Sequence, residues 1–588
     1  MEPFDGQDAR NEEYNRPRRP NADTLSYLVS LPLEITALEA QMKEFVDNGE
    51  KKDEFPPLLG MALSALDEIR NELASLAGDE RGSQIVEKLF HMVLPHSESA
   101  VRMCWHGFST YHLHLATHRY GSHVVQTLIQ LSGAPSGQKD MGLHQEAPDT
   151  TLTNSQIPTL LDLVQGMVDE LTPHASVLAV HICGSHVLRS LICLLGGVEL
   201  RESHGTGDAL RRGKLKNKKK KRKKGAGSED PVGSPGSAAK MEIHYLRKPP
   251  LDISGDTKAT LQSLLQSMWE GPQFRRAGKL QETAIHPSAG PLLTVSLRVM
   301  TYVHSENKQD WYKKDETNLP ARDRLSILAA EPRFLVDSPA HELAKRVLCL
   351  DSDQAGHVIY GLAGEPRGSH VLETLLRISP DKVYEQILKK GDFIQSAKEY
   401  VQDSVSNHVY QTLLATARTS EQSQELLKGL EKLLQSGYIL DVNNQRRGIL
   451  WRLVEMLAKQ RVGQESFLKM LRIGMGNVVN GSTLDDDDDK ETEGPEDEQA
   501  TNEKKKKKKK RQKALSIPLK ACIVPLLGVK LPETDGDRLR LDVAGARTLY
   551  HLLRFTPRLC EEVLLGTTEK LSREELEAIA KDGLGSRW

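Results

Sequence analysis

Three ten-residue stretches of this chain repeat one polar pattern: "YGSHVVQTLI" at 120–129, "CGSHVLRSLI" at 183–192 and "RGSHVLETLL" at 367–376. Each places a hydroxyl, an imidazole and then a changing polar side chain at fixed spacing: Ser122, His123 and Gln126; Ser185, His186 and Arg189; Ser369, His370 and Glu373. Gln, Arg and Glu have three different donor and acceptor signatures, whereas the flat His ring beside them stays the same. On a helix these three positions share one face, and the aliphatic residues between them (Val124, Val125 and Leu128 in the first copy) point the other way. A constant ring next to a variable hydrogen-bonding position is a poor core and is suited to reading the edges of bases. No nucleophile–base constellation supports catalysis, so an enzyme is not expected.

Weaker copies extend the set. Residues 81–90, "RGSQIVEKLF", supply Ser83, Gln84 and Glu87; residues 405–414, "VSNHVYQTLL", supply Asn407, His408 and Gln411. Residues 446–454, "RRGILWRLV", place Arg447, Gly448 and Trp451 in the same frame, and 545–553, "GARTLYHLL", place Arg547 and Tyr550 there. Gly585-Ser586-Arg587 opens one more copy whose helix is missing, so the last repeat is expected to be incomplete. Aligned on the His, the frame positions are Gln84, His123, His186, His370, His408, Gly448, Arg547 and Arg587, spaced by 39, 63, 184, 38, 40, 99 and 40 residues. A recurring spacing near 38–40 with helical patterning implies stacked helical repeats, an all-α curved solenoid. A further degenerate copy is expected at "SPAHELAKRVL", 338–348.

The elements that must carry these side chains are helices. In 393–417, Ile394, Ala397 and Val401, then Val409 and Leu413, recur every three or four residues. A break is expected between Asp403 and Asn407, with Ser406 or Asn407 as the cap. In the Gly-Ser-His copies, Gly is expected to end one turn and Ser to cap the next helix.

Charge is unevenly distributed along the 588 residues, whose net charge is −2. Residues 211–224 hold eleven Lys and Arg, 485–498 hold ten acids, Asp485–Asp489 among them, and 504–513 hold nine basic residues. Such runs lack the apolar content to offset their ordering entropy. The expected organisation is therefore a disordered N-terminus at 1–23, repeats at 24–200, a basic and Gly/Ser/Pro-rich insert at 201–241, and repeats at 242–480. An acidic and then poly-Lys insert follows at 481–513, with C-terminal repeats at 514–588. The basic runs suit localisation to the nucleus and nucleolus, or loose attachment to RNA. The most apolar stretch, Ala175–Val198, is interrupted by His181, His186 and Arg189, so no membrane segment is expected; nor is a secretory signal.

The six cysteines form no CxxC pair, which points to a reducing compartment rather than a disulfide or zinc scaffold. Cys104, His106, His112, His114 and His118 lack the paired spacing of a zinc site, so they are expected to belong to a repeat helix. Flexible carboxylates such as Asp485–Asp489 do not hold two catalytic ions about 4 Å apart. No metal or cofactor is expected.

The pattern resembles the second helix of a Pumilio-type (PUF) RNA-binding repeat, and its degenerate units, two charged inserts and Ser-His frame are most similar to the nucleolar protein 9 family. The resemblance covers about residues 58–588 without the inserts. It implies a U- or C-shaped solenoid that binds small-subunit precursor rRNA and acts in 40S ribosome biogenesis, as a monomer among pre-ribosomal proteins. It also implies roles for single residues. Ser83 with Glu87 and Ser369 with Glu373 match the guanine pattern, Ser122 with Gln126 adenine, Asn407 with Gln411 uracil and Ser185 with Arg189 cytosine. His123, His186, His370 and His408 take the stacking place, held by Gln84 in the first copy. Arg447, Gly448 and Trp451 depart from the pattern, and their site is expected to meet the backbone or a turn of the RNA. Arg547 keeps a guanidinium able to stack and Tyr550 an edge contact. The competing reading is a protein-binding scaffold of the HEAT or armadillo kind, which needs no variable base-reading position.

Overall fold

Each helix that carries the pattern begins where its neighbours in sequence force it to begin. The computed structural model describes residues 15–31, 57–132, 157–203, 240–245, 251, 255–271, 274–275, 278–305, 332–441, 446–480, 517–527, 542–561 and 563. Eight reading-frame helices lie in this set. They are labelled α1 (Glu80–Val93), α2 (Gly121–Ser132), α3 (Gly184–Leu195), α4 (Ala289–Val303), α5 (Gly368–Ile378), α6 (Ser406–Thr416), α7 (Arg447–Gln460) and α8 (Val543–Leu552).

Their caps are not the serines. In α1 to α6 and in α8, the amides at the start of the helix are met by a side chain four residues before the Ser position. Asp79 accepts from the amides of Arg81 and Gly82. His118 Nδ1 accepts from Tyr120 and Gly121, His181 Nδ1 from Cys183 and Gly184, and His286 Nδ1 from Ser288 and Ala289. Glu365 serves Arg367 and Gly368, Asp403 serves Val405 and Ser406, and Asp542 serves Gly545. An imidazole with an unprotonated Nδ1 or a carboxylate reaches two amides, whereas the Ser hydroxyl turns back to the carbonyl three residues earlier: Ser83 donates to the Glu80 carbonyl and Ser369 to that of Pro366. The break expected between Asp403 and Asn407 is present, but its cap is Asp403, not Ser406 or Asn407.

The glycine is required by packing rather than by a turn. A Cβ at Gly82 would lie 2.7 Å from the Leu76 carbonyl oxygen, and one at Gly184 2.7 Å from Leu178 Cδ2. Without that Cβ, the start of α1 or α3 can press against the leucine of the short helix before it. The third helix of a repeat uses a different cap, a hydroxyl accepting from the amide three residues on: Ser97 from Ala100, Thr159 from Asp162 and Thr419 from Gln422. Ser338 does the same for His341, so 338–348 is a helix of this third kind and not another reading-frame copy.

The chain divides into two units, residues 1–318 with 338–343 and residues 319–337 with 344–588. In the first, α1 packs on α2, α2 on α3 and α3 on α4; in the second, α5 packs on α6, α6 on α7 and α7 on α8. Each unit is an α-solenoid with the core between consecutive repeats. In α2, Val124, Val125 and Leu128 are buried as the helical spacing predicts. Buried polar groups are bridged across repeats: Tyr384 donates to the Leu413 carbonyl at 3.0 Å, and Trp105 Nε1 to Ser132 Oγ at 2.8 Å.

The missed repeat is α4. Its His286 cap places Gly290, Pro291 and Thr294 in the reading frame, so the 184-residue gap between His186 and His370 contains a copy that lost its Ser-His. The departure from helix among the described residues is a ribbon, β1 (Val198–Ser203) antiparallel to β2 (Lys240–Tyr245), with Val198 opposite Tyr245 and Ser203 opposite Lys240. It takes in both ends of the segment assigned to the basic insert and joins them directly after α3. In the segment expected as a disordered N-terminus, the Asn21 amide donates to Glu72 at 3.0 Å, and a helix over 22–31 buries Leu28 and Leu31. The charged runs at 211–224, 485–489 and 504–513, and Gly585–Arg587, lie outside the described residues. No described helix is long and apolar enough to cross a membrane.

Candidate nucleic-acid interface

The three frame positions differ sharply in accessibility. The first is buried in the described copies: Ser83, Ser122, Ser185, Ser369, Asn407 and Arg447 are at most 3% exposed. The second is open: Gln84, His123, His186, His370 and His408 are exposed, and Gly448 and Arg547 half-exposed. The third lies between: Glu87, Gln126, Gln411 and Tyr550 are half-buried, and Arg189, Glu373 and Trp451 buried. The structure therefore opens the second position to solvent, leaves the first beneath it, and encloses the third to a degree that differs from helix to helix.

The third positions are held by their neighbours. Arg189 Nη2 donates to His186 Nδ1 at 2.5 Å. Because a guanidinium has no acceptor, this bond fixes Nδ1 as the acceptor and leaves the His186 proton on Nε2. Burial, then the charges of Arg189 and His123, lower the His186 pKa to about 4, so this exposed ring is neutral near pH 7. Glu373 Oε2 accepts from Arg377 at 3.2 Å and from Thr412 of the next frame helix at 3.2 Å, while Oε1 lies 3.8 Å from His370 Nδ1. Glu87 has its pKa raised by burial, against the opposing charges of His123 and His91. Gln126 Nε2 donates to the Ser122 carbonyl and Gln411 Nε2 to Asn407 Oδ1. Asn407 itself donates to the Asp403 and Ser404 carbonyls.

The last two copies are built differently. Arg447 is turned away from the surface: it pairs with Asp542 and donates to the Leu526 carbonyl. Gly448 is covered by Gln411, whose Oε1 would lie 2.6 Å from an added Cβ. The Arg452 guanidinium sits over the Trp451 ring at 3.7 Å and that of Arg547 at 4.8 Å. The His551 ring lies parallel to the indole within 15° at 6.3 Å, and Tyr550 meets His551 edge-on. In α4, Pro291 and Thr294 occupy the second and third positions, and Thr294 donates to the Gly290 carbonyl.

The histidine-rich stretch 104–118 spans two helices, Glu98–Gly107 and His112–Thr117, and His106, His112 and His114 line one cavity with Glu170 and His174. Cys104 is buried in the helix Glu98–Gly107, His112 shares its Nδ1 with Glu170 at 2.9 Å, and His118 is the α2 cap. The residues missed by sequence reasoning are the caps, with Arg452 and Arg377. The signal for the caps was available: "HRYGSH" and "HICGSH" both begin with the capping His.

The family model of the NOP9-like PUF repeat domain matches residues 70–588. Nucleolar protein 9 of Colletotrichum graminicola is 26% identical over 404 residues, which cover 66% of this chain and 49% of that protein. Nucleolar protein 9 of Candida albicans is 30% identical over 166 residues, 27% of this chain and 22% of that protein. The chain thus spans half or less of the length of these curated relatives. A solved structure of APUM23 with GGAAUUGACGG aligns with a TM-score of 0.56 at 16% identity, over 97% of this chain and 82% of that one, a likeness of fold.

Proposed function

This chain belongs to the NOP9-like PUF repeat family, and from that premise we propose that it is a nucleolar, non-enzymatic RNA-binding protein that binds small-subunit precursor rRNA in 40S ribosome biogenesis. It works as a monomer among pre-ribosomal proteins. The observation that carries the reading is the exposed second position beside a third position whose chemistry changes from helix to helix. Exposed His123, His186, His370, His408 and Gln84 lie against base faces; the neutral His186 stacks as an uncharged ring. The base edges fall to the third positions, Glu87 and Glu373 to guanine, Gln126 to adenine, Gln411 to uracil and Arg189 to cytosine. The buried Ser83, Ser122, Ser185, Ser369 and Asn407 support these from beneath.

The test is crosslinking of the chain in cells followed by sequencing of the attached RNA. Enrichment of small-subunit precursor rRNA supports the proposal. A purified protein that carries no nucleic acid and captures only protein would return the scaffold reading to first place.

A further inference from the structure

The frame copy on α7 does not offer a place for a base. In α7 the first position is withdrawn into a pair with Asp542, the second has no side chain and lies under Gln411, and the third is an indole only 8% exposed, with guanidiniums against it. What is concentrated there is positive charge. Arg452 is 5% exposed and held by Glu455 at 2.5 Å. Arg547 and Arg377 are near enough to act on it as like charges. Arg377 is held in turn by Glu373 at 3.2 Å. Arg554 is exposed, with its guanidinium 5.8 Å from the Tyr550 ring. His551, at the centre, adds no charge near neutral pH, because burial first and then the guanidiniums around it lower its pKa to about 4, against the pull of Glu455. Three guanidiniums, those of Arg452, Arg547 and Arg554, and the Glu455 carboxylate thus act on one buried ring, and Arg377 acts on Arg452 from beyond them.

We propose that this cluster is a phosphate site: Arg547 and Arg452, with Arg377 and Arg554 at its rim, hold a backbone phosphate of the RNA where the other helices hold a base. A guanidinium presents a planar fork of donors that fits two phosphate oxygens, and the indole beneath fixes the planes of Arg452 and Arg547 in advance. An anion between them also offsets the repulsion that Arg547 and Arg377 exert on the buried Arg452. The site holds the strand at a fixed point without selecting a sequence. This rests on the RNA-binding reading above.

The experiment measures affinity for a fully randomised single-stranded RNA pool against salt, for the full chain and for Arg547→Gln, with sequencing of the retained RNA. One phosphate contact on a single strand contributes about 0.7 to the slope of log affinity on log salt, so the wild type should lose about 2.6-fold more affinity than Arg547→Gln between ~50 and ~200 mM salt. Base preferences should be the same in both, and Arg547→Lys should keep the wild-type slope. Arg554→Gln, at an exposed position, should move the slope in the same direction and keeps the test open if Arg547→Gln fails to fold. An unchanged slope, or a changed preference at one base position, overturns the phosphate site. A wild type that does not bind the pool overturns the RNA-binding reading with it, whereas base selection with an unchanged slope overturns the phosphate site alone.

Discussion

Replacing His181 by Ala should loosen the start of α3 by a calculable amount. His181 Nδ1 accepts from the Cys183 amide at 3.2 Å and from the Gly184 amide at 3.1 Å. Removing a helix cap costs about 1 kcal/mol, or about a fivefold change in a local equilibrium. Those two amides should therefore exchange with solvent about fivefold faster in His181→Ala than in the wild type at pH 7.5, measured by hydrogen exchange. His181→Asp should restore protection, because Asp403 performs the same task for α6. Acid supplies a second check. Burial lowers the His181 pKa in the folded chain below its ordinary value of 6.5. The folded state disfavours the proton, so the cap is fully present above about pH 6.5 and fades as the pH falls below that value. The difference between wild type and His181→Ala should close over the same range, while His181→Asp keeps its cap until its carboxylate protonates. Equal exchange at pH 7.5 in wild type and His181→Ala would refute the capping role.

Gly82→Ala should destabilise the first unit by roughly 1–3 kcal/mol, since its Cβ would meet the Leu76 carbonyl oxygen at 2.7 Å, and backbone has nowhere to go. Gly166→Ala, on the exposed side of the helix Leu160–Leu171 with nothing within 4 Å of its Cβ, should instead stabilise by roughly 1 kcal/mol. Urea denaturation of both variants checks the pair. His551 is 8% exposed and its pKa falls to about 4 in the folded chain. Its depressed value makes its contribution complete above about pH 6.5 and lost as the pH falls towards 4, on the order of 3 kcal/mol. Acid titration of the unfolding midpoint should show this drop in the wild type and a smaller one in His551→Phe.

The repeat architecture was legible because the Gly-Ser-His copies are constrained twice, by close packing at the glycine and by exposure at the histidine. Where either constraint relaxes, the pattern disappears from the sequence while the helix remains. Helix α4 shows this: Gly290 and Pro291 replace Ser-His, and only the cap His286 marks the start. The caps were misassigned because Ser is a common N-cap, and spacing cannot tell a hydroxyl that reaches forward from one that turns back to a preceding carbonyl, as at Ser83 and Ser369. For the same reason the first frame position was placed with the surface residues, although Ser185 has no exposed area. The ribbon β1–β2 was hidden because its strands flank a Lys/Arg-rich run whose composition dominates the local reading. Arg452 stood unnoticed next to Trp451 because its importance comes from Arg377 and Arg547, which are distant in sequence.

That the third frame position reads a base is tested most directly at Glu373, whose Oε2 is anchored by Arg377 and Thr412 and whose place on α5 should survive a change of one atom. Wild type and Glu373→Gln are compared in a selection from randomised single-stranded RNA. A well-made side-chain contact to a base edge is worth about 1–3 kcal/mol of discrimination. The expected result is loss of guanine preference at one position of the recovered motif, with the remaining positions and the overall affinity nearly unchanged. Identical base preferences in both proteins, or no preference in either, would contradict base reading and leave the Ser-His frame as a device for starting and packing helices.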